Sequence, residues 1–383
     1  MVSRFEFATA QRVVFGPGVV REAGALAAAL GRRPLVVTGR DPGRSRPVLE
    51  ALQAQGLRPA LVAAAGEPKV EEARRGTALA RAEQADLVLA CGGGSALDLG
   101  KAIAALAAQE GDLMDYLEVV GQGRPLERAA LPMIAVPTTA GTGSEATRNA
   151  VLASGAHGVK ASLRHASMLP RVALVDPELT LGLPPELTAN TGLDALTQLI
   201  EPYLSSRSNP LTDALCLEGV RRSARSLERA WASGQDLEAR FDLALASLLG
   251  GMALANAGLG AVHGLAAPLG GRFPVPHGAA CAVLLPHVLR ANLAKCPPGH
   301  PVHARFAELA RLLTGDPAAA PGDGVDWVAG LVARLGIRTL GRYGVTAAAL
   351  PDVAERALAA NAMKANPVPL DRAGLMEILA RAL

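Results

Sequence analysis

Short apolar runs separated by helix-like stretches are the main feature of the first half of this 383-residue chain. Each run has five or six residues, which is the usual length of a buried strand. They are PLVVT (34–38), ALVAA (60–64), DLVLAC (86–91), PMIAVP (132–137) and VALVD (172–176). Alternation of such runs with helices predicts βαβ units around a mostly parallel sheet.

The pattern changes near Pro184. After LPPEL (183–187), long stretches rich in Ala, Leu and Arg carry apolar residues at helical spacing, and none of them predicts a strand. We therefore predict an α/β plus all-α chain of two domains. Residues 1–183 form a Rossmann-like domain with a parallel sheet, and residues 184–383 form an all-helical domain.

Composition excludes several classes of protein. Half of the residues are apolar and 19% are charged, which is not the composition of a disordered chain. The net charge is +3 and the five lysines are scattered, so we expect no nucleic-acid partner. The cysteines form no CxxC pair, and the N-terminus lacks the apolar core of a signal peptide. A cytoplasmic location is the expectation.

A glycine-rich turn follows one of the predicted strands. In DLVLACGGGSALDLGKAIAAL, a strand leads through three glycines and Ser95 into an Ala-rich helix. Glycines let backbone N–H groups approach a pyrophosphate, and the helix presents the positive end of its dipole. The motif is neither GxGxxG nor a Walker loop, because Lys101 comes too late for the latter. Taken alone, such a turn is as often structural as functional.

A second turn, VPTTAGTGSEATRN (136–149), also follows a predicted strand. It supplies hydroxyl groups from Thr138, Thr139, Thr142 and Ser144. Loops at the carboxyl ends of strands in one parallel sheet face the same crevice, where such sheets bind ligands. The two turns together favour a dinucleotide site over a purely structural role.

The end of the first predicted strand bears on the choice of nicotinamide cofactor. An acidic residue there binds the ribose 2′-OH of NAD and repels the 2′-phosphate of NADP. Here Gly39 leaves room and Arg40 can pair with the extra phosphate, which favours NADP(H). Arg40 is equally suited to be a solvated loop charge, and Asp41 follows it directly, so NAD(H) stays open.

Two histidines and an aspartate offer a divalent metal site. His263 and His277 lie 14 residues apart, and Asp194 precedes them in TGLDALTQLIE. Fe²⁺ and Zn²⁺ bind imidazole nitrogen and carboxylate oxygen, and a catalytic site keeps about three protein ligands so that substrate can enter.

Residues 243–271 hold no charged side chain and are long enough for a membrane span. Their many Gly and Ala residues instead predict a buried helix leading to this site.

These motifs, in this order, resemble the iron-containing (group III) alcohol dehydrogenase family. GGGSALDLGK, PTTAGTGSE, TGLDAL, GLGAVHG and PHG carry the resemblance, which extends from VVFGPG to ANP (365–367). It implies a dehydroquinate synthase-like fold, with an N-terminal dinucleotide-binding domain and a C-terminal helical metal- and substrate-binding domain, and a homodimer. It also implies hydride transfer between a nicotinamide, NADP or NAD, and a carbonyl or alcohol, with Fe²⁺ or Zn²⁺.

The resemblance also implies roles for single residues at matching positions. On the pyrophosphate side of the cofactor these are Gly93, Gly94, Ser95 and Asp98, and the rest of the cofactor is lined by Thr138, Thr139, Ser144, Asn149 and Lys160. The metal ligands and catalytic residues are Asp194, His263 and His277.

Two positions depart from the family pattern. Gln198 stands where the family has a fourth ligand, a His, and its amide oxygen is a neutral, weaker candidate ligand. Ala267 stands where the family motif HGxAH has a second His, which is often assigned to proton relay. The remaining relay candidates are water, the ribose hydroxyls of the cofactor, and His287 in LLPHV.

The favoured prediction is a metal-dependent NAD(P) alcohol dehydrogenase that works mainly as an aldehyde or ketone reductase. A metal-free enzyme similar to maleylacetate reductases is an alternative, although such enzymes lack the aspartate that this chain retains as Asp194. A lyase similar to dehydroquinate synthase would need several basic residues near the metal, and the helical half offers Arg207 and Arg272 but no Lys cluster. A cofactor-binding relic without activity is the last alternative. Small and apolar residues in 252–265 and 361–367 predict an uncharged substrate of moderate size.

Overall fold

The computed structural model describes residues 4–155, 159–297 and 299–383, and the chain divides into two compact units. Residues 9–181 form the first unit, and residues 182–383 form the second together with the N-terminal residues up to Ala8. The predicted boundary after residue 183 lies two residues beyond this division. The N-terminal segment groups with the helical unit because the Asn256 side chain accepts a hydrogen bond from the Ala8 N–H and donates one to its carbonyl oxygen.

The first unit, which we call the sheet unit, contains a six-stranded sheet in the order β1-β8-β5-β4-β2-β3, and all of its pairs are parallel. A separate antiparallel hairpin pairs β6 with β7. The strands are β1 Arg12–Phe15, β2 Pro34–Thr38, β3 Ala60–Ala63, β4 Leu87–Gly92, β5 Met133–Pro137, β6 Asn149–Ser154, β7 Val159–Arg164 and β8 Val172–Val175. The five predicted strands and the parallel sheet are confirmed. The sequence analysis did not predict β1 or the hairpin.

The central strands are buried on both faces, which is why they read as continuous apolar runs. Alternate residues enter separate cores: Leu35 and Val37 of β2 join the core that includes α3 and α4, and Val36 joins the core that includes α1 and α2. This is the two-residue period of a strand covered by helices on both sides. The helices of this unit are α1 Ala23–Ala28, α2 Arg46–Ala54, α3 Val70–Ala82, α4 Gly94–Ala107 and α5 Leu113–Tyr116.

The second unit, which we call the helical unit, has no strand among its described residues, so the predicted helical half is confirmed. α6 is almost completely buried from Thr188 to Leu204 and packs against α7, α8 and α10. The helices are α6 Pro185–Leu204, α7 Pro210–Ala232, α8 Leu237–Ala257, α9 Ala261–Arg272, α10 His277–Lys295, α11 Pro301–Thr314, α12 Pro321–Arg334, α13 Leu350–Leu358 and α14 Arg372–Arg381.

The uncharged stretch 243–271 forms two helices, not the single buried helix predicted. Gly258 has a φ of 75° and ends α8, and α9 begins three residues later. Within the described parts of the chain, no single helix has the length and apolar composition to cross a membrane. α8 and α9 reach those limits only as a pair, and they are bent by 101° at their junction.

Candidate metal and dinucleotide sites

One face of α6 carries polar side chains in an otherwise apolar core. Asp194, Gln198 and Glu201 lie at helical spacing and are each no more than 5% exposed. α10 approaches this helix so closely that a Cβ at Gly278 would overlap the carbonyl oxygen of Asn190. A glycine directly after His277 therefore lets the first turn of α10 lie against α6, beside Asp194.

The three predicted metal ligands come together in the helical unit, and a fourth residue joins them. Asp194 Oδ1 lies 3.6 Å from His263 Nε2 and 3.7 Å from His277 Nε2. Cys281 Sγ lies 3.8 Å and 3.7 Å from the same two nitrogens. All four donor atoms are within 4.8 Å of one another. Cys281 was not predicted, although its position four residues after His277 places both on one helix face.

This donor set fits a divalent metal ion. Around a metal with bonds of about 2.0–2.3 Å, neighbouring tetrahedral donors lie about 3.3–3.8 Å apart, which covers the four distances above. Asp194 Oδ1 is buried and has no hydrogen-bond partner among the described residues. A buried carboxylate oxygen without a partner costs stability, and a bound cation removes that cost.

The electrostatics of the group favour positive charge. Cys281 and Asp194 raise the pKa of His277 to about 9, against the opposing effect of burial. Burial lowers the pKa of His263, but Cys281, Glu201 and Asp194 together raise it well above its usual value. Both shifts indicate a negative potential where the four donor atoms converge, which is what a cation needs.

Glu201 sets the orientation of His263. Its Oε2 lies 2.6 Å from His263 Nδ1, and its Oε1 accepts the Val262 backbone N–H at 2.7 Å. An ionised carboxylate only accepts hydrogen bonds, so Nδ1 keeps a ring proton, and Nε2 is the nitrogen that would give up its proton to bind a metal. Glu201 was not predicted, although it follows Asp194 by seven residues, which is two helical turns.

The start of α9, which carries His263, is held by a second buried side chain. Asn366 Oδ1 accepts the Ala261 N–H at 3.1 Å, and the Asn366 amide donates to Asn292 Oδ1 and to a backbone carbonyl. A side chain at Gly260 would come within 2.8 Å of Glu201 Oε1 and 2.9 Å of Asn366 Oδ1. These contacts fix the helix end and with it the position of the imidazole.

The two family departures and the alternative relay residue have distinct places. Gln198 lies one turn after Asp194 on α6, and its buried Oε1 has no hydrogen-bond partner among the described residues. Ala267 is exposed on α9, one turn after His263. His287 lies in the middle of α10, outside the group of four donors, and burial lowers its pKa.

In the sheet unit, the predicted cofactor residues follow three adjacent strands. Gly39, Gly93 and Thr138 come directly after or near the carboxyl ends of β2, β4 and β5, which neighbour one another in the sheet. The Gly39 N–H donates to the Cys91 carbonyl, and the Thr138 N–H donates to the Gly92 carbonyl. The loops therefore meet at one edge, where open α/β sheets bind ligands.

The glycines of the first turn allow close approach between the two loops. A Cβ at Gly94 would lie 2.6 Å from Thr142 Cγ2, and one at Gly93 would lie 3.3 Å from Thr139 Oγ1. Gly93 precedes the 14-residue helix α4, and no side chain of a described residue caps the N–H groups at its start. Uncapped N–H groups and the helix dipole suit a phosphate group, with Ser95 in the first turn.

Lys101 links the two loops from inside the protein. Its fully buried ammonium donates to Ser144 Oγ at 2.6 Å, Thr147 Oγ1 at 2.8 Å and the Asn149 carbonyl at 2.8 Å. Asp98 accepts from Ser144 Oγ at 2.5 Å and from the Val151 N–H at 3.0 Å. Asp98, Ser144 and Asn149 thus belong to an internal network. Lys101 comes too late in the sequence for a Walker lysine, and no local pattern indicates that it is buried.

The other predicted cofactor residues have partners of their own. Arg40 is exposed and donates to the Ala65 carbonyl at 2.8 Å. The Asp41 carboxylate accepts the Gly43 N–H and caps a short 3₁₀ turn. Lys160, on β7, forms a 2.8 Å ion pair with Glu67.

Comparison with known proteins finds matches to both halves of the chain. Residues 10–177 match the family model described as iron-containing alcohol dehydrogenase, and residues 188–383 match the model of the C-terminal domain of that family. The long-chain-alcohol dehydrogenase 1 of Geobacillus thermodenitrificans (strain NG80-2) is 40% identical over 319 residues, which is 82% of this chain and 78% of the relative.

Solved structures agree with the sequence match. A 1,3-propanediol oxidoreductase superposes with a TM-score of 0.91 and 37% identity, and the match covers 100% of both chains. The sulfoacetaldehyde reductase from Bifidobacterium kashiwanohense, solved in complex with NAD⁺, superposes with a TM-score of 0.89 and 29% identity over 99% of both chains. This chain therefore belongs to the iron-containing alcohol dehydrogenase family, whose named members are oxidoreductases that act on CH–OH groups.

Proposed function

We propose that this protein transfers a hydride between NAD(P)H and the carbonyl carbon of an aldehyde or ketone, works mainly as a reductase, and requires a divalent metal. The observation that carries the metal requirement is the group of four buried or half-buried donors around Asp194 Oδ1, an oxygen without a hydrogen-bond partner in the described chain. The metal-free alternative has no use for a buried carboxylate oxygen that accepts no hydrogen bond from the described residues.

The helical unit is the proposed metal- and substrate-binding domain. Asp194, His263 and His277 would hold Fe²⁺ or Zn²⁺, with Gln198 as a candidate further ligand. When bound, the metal supplies Lewis acidity that polarises the carbonyl group of the substrate. Glu201 keeps the proton of His263 on Nδ1, so that Nε2 faces the other donors.

The sheet unit is the proposed dinucleotide-binding domain. The backbone at Gly93 and Gly94 and the start of α4 receive the pyrophosphate with Ser95, and Thr138 and Thr139 line the neighbouring loop. Asp98, Ser144 and Asn149 hold that loop in place through Lys101. Lys160 completes the proposed set from the hairpin.

NADP(H) is the favoured cofactor of the two. Arg40 has five N–H donors and gives one of them to Ala65, so the rest are available to a 2′-phosphate beside Gly39. The Asp41 carboxylate already accepts the Gly43 N–H as a helix cap, so it is a poorer candidate for binding a ribose hydroxyl. NAD(H) remains the alternative, and the NAD⁺ complex of the sulfoacetaldehyde reductase supports it.

We further propose an uncharged substrate of moderate size, a homodimer and a cytoplasmic location. The substrate proposal rests on the apolar and small residues around the start of α9 and around residues 361–367. The dimer rests on the family resemblance. The four cysteines, all free and buried, suit a reducing compartment.

The test is a coupled assay of cofactor and metal. Oxidation of NADPH and NADH is followed with a panel of uncharged aldehydes and ketones, before and after chelation, and after reloading with Fe²⁺ or Zn²⁺. We expect turnover that chelation abolishes and reloading restores, and that Asp194→Asn lacks. Asp326→Asn, an exposed change of the same kind in the helical unit, should keep full activity. Turnover that survives complete metal removal would favour the metal-free alternative.

A further inference from the structure

Cys281 lies within the group of candidate metal ligands. It lies on α10 one turn after His277, and its side chain is fully buried. The other buried cysteine of a long helix in this unit, Cys216 on α7, belongs to no such group among the described residues. Burial of a thiol therefore does not by itself account for the position of Cys281.

The Cys281 sulfur completes the geometry that the other three donors begin. Its distances of 3.8 Å and 3.7 Å to the histidine Nε2 atoms equal, within 0.2 Å, those of Asp194 Oδ1 to the same atoms. Sulfur binds Zn²⁺ at about 2.3 Å and nitrogen at about 2.0–2.1 Å, which places tetrahedral S and N donors about 3.5 Å apart. Asp194 Oδ1 and Cys281 Sγ thus each lie near the distance expected of tetrahedral ligands from both imidazoles.

Gln198 is the competing fourth donor. Its Oε1 is buried without a partner in the described chain, and it lies on α6 one turn after Asp194. An amide oxygen is neutral and is a weak ligand for a soft or borderline metal, whereas a thiolate is anionic and strong. If both donors reached one ion, the thiolate would contribute the larger share of the binding free energy.

We propose that the Cys281 thiolate is the fourth protein ligand, so that the site consists of Asp194, His263, His277 and Cys281. The assignment rests on the metal-dependent function proposed above and adds the identity of the ligand set. Two anionic ligands balance the charge of a divalent ion, and sulfur favours Zn²⁺ and Co²⁺ relative to Fe²⁺. The wild-type protein therefore prefers Zn²⁺ over Fe²⁺ by a larger factor than a variant without the thiol.

The experiment is optical spectroscopy of the Co²⁺-loaded protein with metal analysis. We expect about one cobalt per chain and a sulfur-to-cobalt charge-transfer band in the near ultraviolet. Cys281→Ser should lose that band and raise the Kd for Zn²⁺ by more than about 100-fold, since loss of a residue that merely supports a ligand costs 10- to 100-fold. Cys216→Ser, also a buried cysteine in the helical unit, should keep the band.

A measurement on the wild type does not depend on the folding of any variant. X-ray absorption of the Zn²⁺-loaded protein should show one sulfur at about 2.3 Å together with nitrogen and oxygen donors. One metal per chain with only nitrogen and oxygen donors would overturn the Cys281 assignment and leave the proposed function standing. Failure to bind Co²⁺, Zn²⁺ and also Fe²⁺ would overturn both.

Discussion

Glu201→Gln is the most informative single change near the metal site. In the wild type both carboxylate oxygens accept hydrogen bonds, one from the Val262 N–H and one from His263 Nδ1. Glutamine offers one acceptor and one NH₂ donor in the same space. If the acceptor faces Val262, the NH₂ faces His263 Nδ1, which can accept only when the ring proton moves to Nε2. That proton occupies the lone pair that would bind a metal.

The expected cost follows from this choice. Either Nε2 is blocked, or the Val262 N–H faces a second donor at the start of α9. Changes to residues that orient metal-ligating histidines typically weaken metal affinity 10- to 100-fold, or about 1.4–2.7 kcal/mol. We expect the Kd of the variant for Zn²⁺ to rise within that range while its melting temperature stays close to that of the wild type.

The assay is competition for Zn²⁺ between the protein and a chromophoric chelator. Glu308→Gln is the matched control. The Glu308 carboxylate also accepts a hydrogen bond from a buried aromatic side chain, the Tyr203 hydroxyl, but it lies outside the donor group. An unchanged Kd in Glu201→Gln, or an equal loss in both variants, would refute the argument that Glu201 fixes the His263 tautomer.

Three further changes test other parts of the account. Lys101→Met leaves two hydroxyls, a carbonyl and a carboxylate without their shared buried donor. We therefore expect the free energy of unfolding, measured by chemical denaturation, to fall by about 3–5 kcal/mol. A decrease of less than about 1 kcal/mol would contradict a stabilising role of the network. Burial raises the pKa of Glu145 from 4.5 to about 7, so the folded protein keeps this carboxyl protonated at pH values where the unfolded chain has lost the proton. The free energy of unfolding of the wild type should therefore fall as pH rises between these values, by up to about 3 kcal/mol. Glu145→Gln should flatten that slope, and equal slopes in the two proteins would show that Glu145 titrates normally. Gly278→Ala should weaken Zn²⁺ binding and cost about 1–3 kcal/mol in unfolding, because its Cβ overlaps the Asn190 carbonyl, whereas Gly322→Ala, which has open space around it, should do neither.

The features that the sequence predicted well are those with strong local patterns. Four of the five apolar runs became strands that are buried along their whole length, and such strands must be apolar throughout, as β2 and β4 are. The fifth, β3, lies at the edge of the sheet and exposes Leu61. The glycine-rich turn before α4 was also predicted from a local pattern, three glycines between an apolar run and an Ala-rich stretch. The hairpin β6–β7 was missed because its residues alternate weakly and include Asn149, Lys160 and Arg164.

The candidate metal site shows where sequence reasoning stops. Asp194, His263 and His277 were chosen by residue type and family motif, and the structure brings their donor atoms together. Glu201 and Cys281 depend on how α6, α9 and α10 pack, which no local pattern encodes. Helical spacing from Asp194 and His277 was the one signal that pointed to them.

The junction between α8 and α9 shows a related limit. An uncharged apolar stretch predicts one helix, and the turn at Gly258 depends on a positive φ that the composition of the stretch does not reveal. The break gives α9 a new start, where Glu201 and Asn366 bind its first N–H groups.

Metal content shows directly whether Asp194, His263 and His277 bind a divalent ion. Purified protein is loaded anaerobically with Fe²⁺ or Zn²⁺, freed of excess metal and analysed by elemental mass spectrometry, beside His277→Ala treated in the same way. We predict about one metal per chain in the wild type and none in the variant, with equal melting temperatures for the two metal-free proteins. A wild-type protein that retains neither metal, or a variant that retains as much as the wild type, would contradict a metal site at Asp194, His263 and His277.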